Sequence, residues 1–119
     1  MCKEQKIITA AHNASTHKPM EWYKEAFKTN PAVRWWLALD GKPWDSPKYR
    51  INQDGYKMFE IMKLAAKMCT RQPYWQCIRF NYNQHYIDEL SVTAKEIGAK
   101  LIVIESHRWD AIPWLKPEN

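Results

Sequence analysis

Three polar clusters in this 119-residue chain each follow a run that reads as a β-strand. They are His12-Asn13 after "IITAA", Asn83 and His85 after "IRFNY", and Glu105-Ser106-His107 after "LIVI". Imidazole titrates near neutral pH, so a histidine beside a carboxylate can accept and return a proton within one reaction cycle. If the three strands run parallel, the clusters share the carboxyl edge of one sheet, where ligands of open α/β folds collect. His12, His85, Glu105 and His107 are therefore the candidate catalytic set, suited to a small hydrolase or a phosphotransfer reaction. No nucleophile elbow or glycine-rich phosphate loop accompanies them, and Gly41, Gly55 and Gly98 read as turns or caps. This enzyme reading ranks below a binding one.

The binding reading starts from charge. The chain carries a formal net charge of +5, and its excess is local. Residues 42–79 hold eight basic residues (Lys42, Lys48, Arg50, Lys57, Lys63, Lys67, Arg71, Arg79) against three acidic ones (Asp45, Asp54, Glu60). The remainder is balanced. One-signed charge concentrated in a segment points to an anionic partner, and each phosphate neutralised releases condensed counterions. Lys48, Arg50, Lys57, Lys63, Lys67, Arg71 and Arg79 are the expected contacts to nucleic acid, or to another acidic partner such as a nucleoprotein complex.

The aromatic stretch "QPYWQCIRFNYNQHY" at 72–86 invites comparison with RNA-recognition motifs. Their third strand carries a basic, glycine-containing aromatic signature. Here the third strand would be "KYRIN", which lacks it, so that motif is not the expected reading. Seven tryptophans supply a third reading. Trp35, Trp36, Trp44, Trp109 and Trp114 are candidate partner-binding residues, as for an inhibitor of a host protein, because tryptophan dominates interface hot spots.

Cys2, Cys69 and Cys77 are odd in number and lack CxxC spacing. Reduced thiols follow, with no metal and no cofactor. The apolar runs "WWLAL" and "LIVI" fall far short of the ~18 residues of a membrane span. "MCKEQKIITAAHN" lacks the apolar run of roughly 7–15 residues of a signal peptide. A cytoplasmic protein without a membrane partner is expected, monomeric or a small homo-oligomer. Small size without a motif is shared with phage and mobile-element accessory proteins, an association and not a physical inference.

The elements that must position these residues read as follows. Residues 4–10 and 33–40 are strand candidates, and "KYRIN" (48–52) pairs with the latter as an antiparallel hairpin across the turn-rich "DGKPWDSP". A helix spans 19–30, with Pro19 at its first position and Asn30-Pro31 ending it. Residues 54–70 form the clearest helix, with Met58, Ile61, Met62, Ala65, Met68 and Cys69 inward and Lys57, Glu60, Lys63 and Lys67 outward. Residues 74–82 alternate as a strand with Ile78, Phe80 and Tyr82 inward. A helix at 84–97, capped by Asn83 and closed by Gly98, leads to a buried strand at 99–105. The sum is a single α/β (or α+β) domain of 1–119 with a mixed four- to five-stranded sheet, about three helices, a C-terminal βαβ unit and an irregular tail from 106. Ile61, Ala65, Ile78, Phe80, Leu90 and Ile102 are the expected core.

Overall fold

The computed structural model describes residues 10–48, 50, 52–106 and 109–117. Among these residues it is an α/β domain of four strands and three α-helices in strict alternation: β1 (Ala10–Asn13), α1 (Met20–Thr29), β2 (Arg34–Ala38), α2 (Gly55–Met68), β3 (Tyr74–Ile78), α3 (Ile87–Ile97) and β4 (Lys100–Ile104). The strands lie in the order β1-β2-β3-β4, and every neighbouring pair is parallel. A parallel crossover is right-handed almost without exception. Because the strand order never reverses, that rule sends every crossover helix to the same side. All three helices indeed pack on one face, over Trp35, Leu37, Trp75 and Cys77. Phe27, Met58, Ile61, Met62, Ala65, Leu90 and Ala94 meet those four from above.

Helix ends follow local chemistry. Asp54 caps α2 by accepting from the Lys57 amide, and its own amide donates to Thr16 Oγ1 at 2.9 Å. Gly98 ends α3 at φ 87°, where a side chain would be strained. Gly55 is required by contact. A β-carbon there would stand 2.0 Å from the Pro43 carbonyl oxygen, because the 3-10 turn Pro43–Lys48 sits on the start of α2. Pro19 precedes α1 as its N-cap instead of opening it.

The expected hairpin is absent. Lys48 closes the 3-10 turn, and Arg50 and Asn52 are not in a strand; Tyr49 and Ile51 lie outside the described residues. The reason is that β1 and β3 already occupy both edges of β2. The sheet is thus parallel throughout and not mixed. The expected strand at 4–10 falls outside the described residues except for Ala10, where β1 begins.

The inward register of β3 is also opposite to the expected one. Trp75 and Cys77 face the helices, while Ile78 is half-buried on the other face. Trp75 fixes this choice: its indole N–H donates to the Leu39 carbonyl at 2.7 Å and its ring meets Phe59 edge-on. Phe80 is fully buried all the same, since the chain leaves the sheet after Ile78. Asn83 holds that turn, accepting from the Phe80 amide and donating to the Ile78 carbonyl, instead of capping α3 through its side chain. Phe80 therefore packs with Tyr82 and Trp109, beside the main core and not within it. As an edge strand, β4 is half-exposed; Ile102 is only partly covered.

Candidate functional site

All-parallel sheets are almost always covered on both faces. Here the face opposite the helices carries Ala10, His12, Arg34, Trp36, Ala38, Tyr74, Gln76, Ile78, Lys100, Ile102 and Ile104, as strand alternation and register dictate. No carboxylate stands among these strand residues. The register aligns His12, Trp36, Tyr74 and Lys100 in one row across all four strands. His12 stacks on Trp36 with ring centroids 5.2 Å apart, and Tyr74 meets Trp36 edge-on at 4.5 Å. The Arg34 guanidinium lies 4.4 Å from the Tyr74 ring centre and donates to its hydroxyl. Cation, aromatic and imidazole groups thus form one continuous platform.

Toward the carboxyl edge the next position on β2 is Ala38. Its single methyl leaves a depression of about 260 Å³ between Trp36 and Arg50, bordered by His12 and Gln76. Arg50 is held there by its 2.8 Å ion pair with Asp40, which also accepts from the Ile78 amide. Burial raises the Asp40 pKa, and the Arg50 charge and the Ile78 hydrogen bond offset only part of that.

Beyond Asp40 the edge is closed by buried polar contacts. Asp45 accepts from the Lys42 amide, the Lys48 ammonium and the Tyr86 hydroxyl. Gln53 donates to the Ala14 and Ala38 carbonyls and binds Ser46. Burial, with Asp40 nearby, pushes the Cys77 thiol up to about 12, which makes it inert. The same burial raises Tyr82 and Tyr86. These three groups are neutral at physiological pH; the Tyr86 hydroxyl is bonded to Asp45, whereas the buried Tyr82 hydroxyl has no hydrogen-bond partner among the described residues.

Of the candidate catalytic residues, His12 lies on the open face, His85 is exposed in the short turn before α3, and Glu105 forms a two-pronged ion pair with Arg79 at 2.7–3.1 Å. His107 lies outside the described residues. Among the described residues, the depression beside His12 has no second histidine. A doubly wound sheet opens its ligand crevice where strand order reverses, and this order does not reverse. Among the described residues no group of three or more His, Cys, Asp or Glu is placed to hold a metal ion.

The expected basic set divides. Lys57, Lys63 and Lys67 follow the outer side of α2, on the layer opposite the platform, Lys63 pairs with Glu60, and Arg71 is exposed in the segment between α2 and β3. Lys48 and Arg79 are paired with Asp45 and Glu105 at the carboxyl edge. Arg50 alone of the seven lines the depression. The tryptophans divide too. Trp35 is buried against Phe27 and is core instead of contact surface, because it alternates with Trp36 on β2. Trp109 packs on Phe80. Trp44 and Trp114 are 60% and 67% exposed.

Arg34, Tyr74, Gln76 and Lys100 were not marked by sequence reasoning. Their signal was present in "RWWLA" and "YWQCI", where large residues occupy both phases of the alternation. No protein-family model matches this chain, and neither a curated protein nor a solved structure is significantly similar to it.

Proposed function

We propose that this protein is a small binding protein that engages single-stranded nucleic acid on the face of its sheet opposite the three helices. One observation carries the reading. A parallel sheet that would ordinarily be covered on both faces presents, on the side where no helix of the described residues packs, a row of rings flanked by Arg34 and Lys100 with no carboxylate on the strands beside them. Single strands are bound by this combination, in which cations track the backbone and ring systems stack on bases without regard to sequence. The neighbouring Ile102 and Ile104 extend the face with apolar contact area. No helix among the described residues is long and apolar enough to cross a membrane. Residence in the cytoplasm, and service to a larger nucleoprotein complex, complete the proposal.

The test is titration with short single-stranded DNA and RNA, followed by tryptophan fluorescence and repeated over a salt series. Binding that weakens as salt rises, and that is lost in Trp36→Ala, is the expected result. Salt-independent affinity, or full affinity in Trp36→Ala, refutes it. If sedimentation instead shows a dimer that Trp36→Ala dissolves, the face belongs to a second copy of the chain.

A further inference from the structure

Resting on that reading, we propose that the depression beside Trp36 accepts a single unstacked base of the bound strand and reads its edge through Gln76. The space exists because of one small residue. Ala38 stands between the bulky row and the Asp40–Arg50 pair on the same face, and a larger side chain there would fill the gap. At about 260 Å³ the depression is below the ~300–1,000 Å³ of pockets for drug-sized ligands, so it suits one ring system and not a larger ligand.

Its chemistry matches a base. Trp36 and His12 give it a ring-bearing wall, and Arg50 gives it a planar cation. Arg50 is fixed by Asp40, itself fixed by the Ile78 amide, so the wall is formed before any ligand arrives. The polar groups at the rim are not equivalent. The Asn13 amide is consumed by its own turn, donating to the Ser15 carbonyl and accepting from the Ser15 amide. Gln76 is half-buried and, among the described residues, its amide makes no hydrogen bond. It offers a donor beside an acceptor, the pattern that pairs with a base edge in two hydrogen bonds. Stacking on the platform does not distinguish bases. We assign the preference among them to this amide, because Arg50 is engaged by Asp40 and His12 is stacked on Trp36.

The experiment compares decamers of dA, dC and dT on the whole protein, on Gln76→Ala and on Ala38→Leu, with thermal melts to verify folding. The wild type should prefer one homopolymer by roughly fivefold or more, the range that a good two-bond pairing provides. Gln76→Ala should bring the three affinities to a common, weaker value, and Ala38→Leu should do the same by filling the space. If Ala38→Leu does not fold, Gln76→Ala decides. Equal affinities in the wild type, with binding still lost in Trp36→Ala, overturn the base pocket and leave the platform standing. A preference that survives in Gln76→Ala also overturns the pocket's role. No binding of any decamer removes both.

Discussion

Trp75 and Trp36 occupy neighbouring strands of one sheet and have opposite surroundings. Trp75 lies under α2, fully buried, with its indole N–H bonded to the Leu39 carbonyl. Trp36 stands on the face away from the helices between a histidine and a tyrosine, partly exposed. The two faces differ in what covers them, and that follows from topology: a sequential parallel order sends every crossover helix to the same side. One face therefore becomes a core. The other keeps large, partly exposed rings on which no helix of the described residues packs, and such rings serve contact more than stability.

The sharpest way to break this comparison is to truncate on both faces. Trp75→Ala should destabilise the protein by about 3–5 kcal/mol, as expected of a buried aromatic, and Phe80→Ala by a similar amount in its separate cluster. Thermal or urea unfolding measures both. Trp36→Ala should cost only about 1 kcal/mol of stability. Equal losses from Trp75→Ala and Trp36→Ala would mean that the bare face is covered in solution.

Binding should show the opposite order. Trp36→Ala is expected to lose about 1–3 kcal/mol of affinity for single-stranded DNA, the usual worth of one stacked base. Lys100→Ala should lower the slope of log affinity against log salt by about 0.7, one phosphate contact on a single strand. The charge distribution along the sequence instead assigns binding to the outer side of α2, so the double reversal Lys63→Glu/Lys67→Glu is the discriminating variant. On the platform reading it weakens binding less than Trp36→Ala does. Abolished binding in the double variant, with Trp36→Ala unaffected, would move the nucleic acid to the helical layer.

The smallest effect concerns the thiols. Cys77 is fully buried and its pKa is raised to about 12, so its thiolate is scarce at neutral pH. Raised pKa means that the folded protein holds the proton more firmly than the unfolded chain does. Alkylation at pH 8 should therefore modify half-buried Cys69 first and reach Cys77 only on unfolding, as peptide mass spectrometry would show. Rapid modification of native Cys77 would contradict this packing.

Much of the fold was legible in the sequence because it depends on local chemistry. The 3.6-residue period of 54–70 correctly turns Met58, Ile61, Met62 and Ala65 inward, Gly98 ends α3, and the βαβ unit from Tyr74 to Ile104 is formed as expected. These are short-range preferences, which a chain expresses wherever it folds. The register of β3 was not legible. "YWQCI" has large residues in both phases, so periodicity cannot say which set turns inward; the fit of Trp75 beneath α2 and its bond to Leu39 decides. The hairpin failed for a similar reason, since "KYRIN" has strand-like residues but β2 offered it no free edge. Charge counting along 42–79 could not see that Lys48, Arg50, Lys63 and Arg79 are each paired with an acid, two of them with partners outside that segment or on another element. The row His12, Trp36, Tyr74 and Lys100 joins four strands separated by three helices. Composition and periodicity determine which segments can be helix or strand; only the pairing of distant strands determines which side chains become neighbours, because cross-strand contact depends on register and not on sequence distance.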